Sequence, residues 1–89
     1  MDIDPDARTA TWEQLAQILR DRITAGTYRP GRKIPSLMEL TDESGLSQNT
    51  VKRAIGRLKD EGLLEGVQGR GVFVVDPLPA AEESSGQPA

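Results

Sequence analysis

Apolar positions along the chain fall into three short helical stripes followed by two strand-like runs. Trp12, Leu15, Ala16, Leu19 and Ile23 recur at spacings of three and four, one face of an amphipathic helix that should end near Gly26. Tyr28-Arg29-Pro30-Gly31 follows as a turn, because proline presets φ at a turn position. Ser36 then opens a short second helix. Glu39, three residues on, completes an S-x-x-E capping box, and Leu37 and Leu40 form the buried side.

Gly45 interrupts the chain and Ser47 caps a third helix, predicted over 48–61 and stopped by Gly62. Its inward face is Val51, Ala54, Ile55 and Leu58. Leu63–Val67 and Val72–Val75 read as strands around Gln68-Gly69-Arg70-Gly71, a glycine-bearing hairpin tip. The order helix, helix, turn, helix, hairpin defines an α+β class, mostly α: a winged helix-turn-helix of three helices and a two-stranded wing. The folded unit is expected over 10–75. Residues 1–9 read as a disordered acidic arm and 76–89 as a disordered proline-rich acidic tail, lacking both periodicity and enough apolar surface to offset chain entropy.

Only Ser44-Gly45-Leu46 joins the second and third helices, a connection that matches the helix-turn-helix unit, in which the second helix enters the major groove. A plain helical hairpin would satisfy the same spacing. The outward face of the third helix favours the former: Gln48, Asn49, Lys52, Arg53 and Gly56 lie opposite the apolar stripe, with no carboxylate before Asp60. Gln and Asn amides match adenine N6 and N7, and Lys or Arg can donate to guanine or phosphate. Ser47 and Thr50 suit either a phosphate contact or a plain helix cap. Arg70, alone between glycines, can extend from the tip into a narrow minor groove or stand as an ordinary exposed charge.

Composition narrows the chemistry. Among 89 residues there is no cysteine and no histidine, which removes disulfides, thiolate or imidazole metal sites and histidine acid–base catalysis. Asp2, Asp4, Asp6 and Glu13 match spaced positions of a calcium loop. Ala7 stands where that loop's sharp turn needs glycine, so no metal is expected. Asp42-Glu43 and Asp60-Glu61 have no accompanying nucleophile, and the chain is read as no enzyme and as needing no cofactor. The longest apolar run, Val72–Val75, is far below the ~20 residues that span a bilayer. The amino terminus is acidic where a signal peptide is basic, so a cytoplasmic protein with no membrane partner is expected.

The formal net charge of −3 argues against a nucleic-acid partner until it is divided along the chain. Residues 20–75 carry ten basic and seven acidic side chains, whereas 1–19 hold one base against four acids and 76–89 hold three acids and no base. The predicted body is basic and its ends acidic.

Trp12-x-Gln14-Leu15-Ala16, Pro30-Gly31-x-Lys33-Ile34-Pro35-Ser36, Gly45-Leu46-Ser47-x-x-Thr50-Val51-Lys52-Arg53-Ala54-Ile55-x-x-Leu58, Glu61-Gly62-Leu63-Leu64 and Gly69-Arg70-Gly71-Val72-Phe73-Val74 together resemble the GntR (gluconate-repressor-like) winged-helix domain. The resemblance covers about Trp12 to Val74. It implies a bacterial transcription regulator, a repressor that occludes a promoter, binding double-stranded DNA at an inverted-repeat operator as a homodimer formed in solution or only on DNA. By position it assigns DNA contacts to Ser36, Ser47, Gln48, Asn49, Thr50, Lys52, Gly69 and Arg70. The helical projection adds Arg53 as a phosphate contact.

Two departures bear on specificity. The family commonly has Glu-Arg after Pro-Ser, where this chain has Leu37-Met38, and a DNA-reading arginine where it has Gln48. An operator richer in adenine, or weaker binding, is expected. The family also usually continues into an effector-binding, dimerising domain. None is expected within this chain, which reads as a stand-alone regulator or an excised domain without a small-molecule site. The competing reading is a winged-helix protein-interaction module that has lost DNA binding, motivated by the overall acidity and the two missing arginines.

Overall fold

Three helices and a hairpin form in the expected order, in a computed structural model that describes residues 3–78. Helix α1 spans Thr11–Thr24, α2 Leu37–Ser44 and α3 Gln48–Asp60. Strand β1, Leu64–Val67, pairs antiparallel with β2, Gly71–Val74. The caps follow from local chemistry. Ser36 Oγ accepts from Glu39 N at 3.1 Å while Glu39 Oε1 accepts from Ser36 N at 2.7 Å, closing the capping box. Ser47 Oγ accepts from Thr50 N at 3.2 Å and starts α3. Gly45 ends α2 in the left-handed region at φ 74°, which a β-carbon disfavours, so the short connection into α3 depends on glycine.

The core joins Leu15, Ala16, Leu19 and Ile23 of α1 to Leu40 of α2 and to Val51, Ala54, Ile55 and Leu58 of α3. Leu64 and Val74 close it from the sheet, and Ile34 from the loop before α2. The predicted α3 stripe is therefore the buried one, and Leu37 packs beside Leu40 at the edge. Trp12 differs from expectation. It is half-buried outside the core, because its position in the first turn of α1 overhangs the outer flank of α3.

Three further differences come from contacts that carry no periodic signal. Lys33 bridges Phe73, with Ile34 N donating to Val72 O and Val74 N to Arg32 O, each at 2.9 Å. The α1–α2 loop thus adds an edge segment to the hairpin. At the amino end the segment read as disordered is tied down in residues 3–9: the Gln14 amide donates to Asp4 O and Thr9 O and accepts from Asp4 N, all at 2.8 Å, and Ile3 packs against the core. The predicted tail, 76–89, lies outside the described residues from 79 on; within its first residues Leu78 packs against the core, so the disordered reading does not hold at 78. Helix ends and strands shift by one or two residues, α1 ending at Thr24 and α3 at Asp60.

Candidate nucleic-acid interface

The core fixes which way α3 faces. With Val51, Ala54, Ile55 and Leu58 turned inward, the opposite surface carries Gln48, Asn49, Lys52 and Arg53, all exposed. The Gln48, Asn49 and Lys52 side chains make no hydrogen bond or ion pair among the described residues, so their donors and acceptors are available at the surface. A row of unpartnered amide and ammonium groups on one helix face matches the donor–acceptor pattern of base edges in a major groove, which is wide enough to admit a helix.

The capping residues are engaged locally. Ser47 Oγ and Thr50 Oγ1 lie 2.9 Å apart, and Ser36 Oγ holds Glu39 N. Each serine oxygen accepts within its cap, and a hydroxyl has acceptor and donor capacity beyond that one bond. Arg53 is placed differently from the projected face. Its guanidinium lies 4.6 Å from the centre of the Trp12 ring, and that of Arg57 lies 5.6 Å from the same ring. An arginine on an aromatic face is held by the ring quadrupole, so Arg53 is drawn to the α1 flank of the helix, away from Gln48 and Lys52.

The wing tip is built by its glycines. Gly69 has φ 78° and Gly71 φ 121°, and Arg70 N donates to Val67 O at 2.9 Å to close the turn. Arg70 and Gly69 are exposed at the apex, separated from the α3 residues by the length of the hairpin. Apart from Arg53 on the Trp12 flank, the predicted residues therefore form two groups, one on the N-terminal half of α3 with the α2 cap and one on the wing, joined through residues 61–63 between α3 and β1.

Behind this surface, α1 braces the C-terminal ends of α2 and α3. Arg20 Nε and Nη2 donate to the two Glu61 oxygens at 2.8 and 2.6 Å, and Arg57 Nε donates to Glu61 at 3.2 Å. Arg22 Nη2 donates to Glu43 at 2.7 Å and its Nη1 to Tyr28 Oη at 2.6 Å. The hydrogen bonds from Arg20 hold the Glu61 carboxyl below the usual carboxylate range, and that from Arg22 does the same for Glu43. Both arginines are correspondingly raised, Arg20 by Glu61 first and Arg22 by Glu43 first. These pairs join residues 41 and 21 apart in the chain, which is why sequence spacing gave no sign of them.

A helix-turn-helix whose second helix leads into a hairpin, with exposed amide and ammonium groups on that helix and a lone arginine at the hairpin tip, is a winged-helix domain of the nucleic-acid-binding class. The chain belongs to the family described as bacterial regulatory proteins, gntR family, which matches residues 11–74. It is 42% identical over 66 residues to the histidine utilization repressor of Klebsiella aerogenes, covering 74% of this chain and 27% of that protein. It is 36% identical over 72 residues to the HTH-type transcriptional repressor YtrA of Bacillus subtilis (strain 168), covering 81% of this chain and 55% of that protein. The chain thus spans about a quarter to about half the length of these relatives. AraR(DBD) in complex with operator ORX1 has the same fold at a TM-score of 0.77 and 34% identity, covering 84% of this chain and 93% of that one. YtrA from Sulfolobus acidocaldarius, a GntR-family transcription factor, also superposes at 0.77, with 32% identity over 90% of this chain and 68% of that one. Among the described residues, no helix is long and apolar enough to cross a membrane.

Proposed function

We propose that this chain is the DNA-reading part of a transcriptional repressor: α3 lies in the major groove and the wing tip enters the adjacent minor groove. The observation that carries the reading is the unpartnered row Gln48, Asn49 and Lys52 on the face of α3 opposite the core, continued by Arg70 on the wing. Gln48 and Asn49 read bases, with adenine as the natural bidentate partner, and Lys52 donates to guanine or phosphate. Ser36, Ser47 and Thr50 present cap hydroxyls to the backbone, and Arg53, held against Trp12, offers its guanidinium to a phosphate only from the α1 flank of the helix. Gly69 lets the chain turn so that Arg70 extends into the groove.

The relatives named as repressors and the AraR(DBD) structure with operator support this reading. One recognition helix covers only a short half-site, so in this reading two copies bind an inverted repeat with half-sites about one helical turn (~10 base pairs) apart. Bound in this way the protein occludes a promoter within the cytoplasm, on the nucleoid. Selection from random-sequence duplexes followed by a salt titration tests the proposal. A recovered site with two symmetric halves, bound with an affinity that falls linearly in log–log salt, is expected. Failure to retain any duplex at low salt would sink it and favour a protein partner.

A further inference from the structure

The wing carries two glycines within its paired strands, and a lysine from outside the strands lies over each. Gly66 is in β1. A β-carbon added there would lie 3.2 Å from Lys59 Nζ and 3.7 Å from its Cε. Gly71 is in β2, where an added β-carbon would lie 2.7 Å from Lys33 Cε and 3.5 Å from its Nζ. Both lysines are exposed, and neither is in an ion pair among the described residues.

The strand register places them on opposite faces. Leu64 and Gly66 share the inner face of β1, since Leu64 is core and side chains alternate. Lys59, from the last turn of α3, therefore covers the inner face. Phe73 and Gly71 share the outer face of β2, and Lys33, paired with Phe73 in the edge bridge, covers that one. Within 64–74 the only charged residues are Glu65 and Arg70; Glu65, the register partner of Phe73, shares the outer face with Lys33, and the two borrowed lysines add one cation to each face of the hairpin behind a cationic tip.

We infer that Lys33 and Lys59 form a two-sided phosphate clamp at the wing. The inference rests on the DNA-binding reading above and assigns residues that it does not contain. With Arg70 in a minor groove about 6 Å wide, the hairpin stands between two phosphate backbones, and an ammonium on each of its faces meets one of them. The bare glycines let each lysine stem lie close against the strand, which keeps both ammonium groups near the hairpin instead of spread into solvent. Phosphates carry no base identity, so the clamp adds affinity and register, while Arg70 and α3 supply discrimination.

The test measures affinity of the full chain for the duplex recovered by selection, and for a scrambled duplex, between about 50 and 200 mM salt. Lys33→Gln and Lys59→Gln should each make the log–log slope shallower by about 0.9, so that each variant loses about 3.5-fold less affinity across that range. Both duplexes should respond alike and melting temperatures should stay unchanged, whereas Lys33→Arg and Lys59→Arg should keep the wild-type slope. A wild-type chain that binds with both Gln variants matching its slope would overturn the clamp alone. A Gln variant with lower melting temperature and unchanged slope would overturn it too, since the stem would then be structural packing. A wild-type chain that binds neither duplex would overturn the DNA-binding reading and the clamp with it.

Discussion

Two faces of this small domain use the same residue types to opposite ends. On the α1 face, Arg20, Arg22 and Arg57 are paired with Glu61 and Glu43 and fasten α1 to the C-terminal ends of α3 and α2. On α3 and around the wing, Lys52, Lys59, Lys33 and Arg70 are exposed with no acid paired to them among the described residues. The difference is one of pairing and not of residue type: the arginines next to α1 are held by acids, and the cations of the wing and recognition helix are not. The bracing pairs take up three arginines and two of the seven acids of residues 20–75, and the seven bases left outside ion pairs, Lys52, Lys59, Lys33 and Arg70 among them, still outnumber the five remaining acids. A formal charge of −3 therefore coexists with a surface suited to a polyanion.

The largest effect that breaks the comparison comes from beneath both faces. Leu58 is fully buried where α3 meets α1, and Leu58→Ala should cost about 2–5 kcal/mol by lost transfer energy and cavity formation. In a domain of this size that lowers the melting temperature by well over ~10 °C, read by circular dichroism. Binding and bracing should then fail together. Next in size, Lys52→Ala and Arg70→Ala should each weaken binding to the selected site by about 1–3 kcal/mol with the melting temperature unmoved. A drop in stability instead would put those side chains on the bracing side of the comparison.

Gly45→Ala follows. Forcing a β-carbon into φ 74° should destabilise by about 1 kcal/mol and shift the melting curve, because the α2–α3 corner can no longer relax. The smallest effect sharpens the contrast most. Glu61→Gln should lower stability by at most about 1 kcal/mol, since the pair is partly exposed, and leave the salt slope of binding unchanged. The sign of its pH dependence follows from its depressed carboxyl: the stabilisation is present above the unfolded value of about 4.3 and is lost as pH falls through the lower folded value. Wild type should therefore lose stability faster than Glu61→Gln on acid titration.

The helices, the caps and the wing were legible because each rests on a local rule. Ser36 and Glu39 bond one another three residues apart, and Val51, Ala54, Ile55 and Leu58 repeat with the helix. What escaped depended on residues far apart in sequence. The Lys33 bridge to Phe73 spans forty residues of chain and consists of one pair, too short for any alternation. Gln14 looks like an exposed helical polar group until its amide is seen holding Asp4 and Thr9, so the arm read as disordered is partly ordered. Trp12 fits the apolar stripe of α1 by spacing alone. Its place in the first turn, beside Arg53 and Arg57, makes it a shelf for cations, and the same contact turns Arg53 away from the face a helical projection gives it. Of the candidate contacts, position in the fold was readable from sequence; whether a side chain was free or already partnered was not.

The comparison between the two faces is tested most directly by following backbone amide resonances of the full chain while the selected duplex is added. The account predicts shifts concentrated at Ser36, Ser47 through Lys52 and Gln68 through Gly71, with the α1 residues Arg20 and Arg22 and their partners Glu61 and Glu43 nearly still. Shifts centred on that bracing face, with α3 and the wing unmoved, would contradict it.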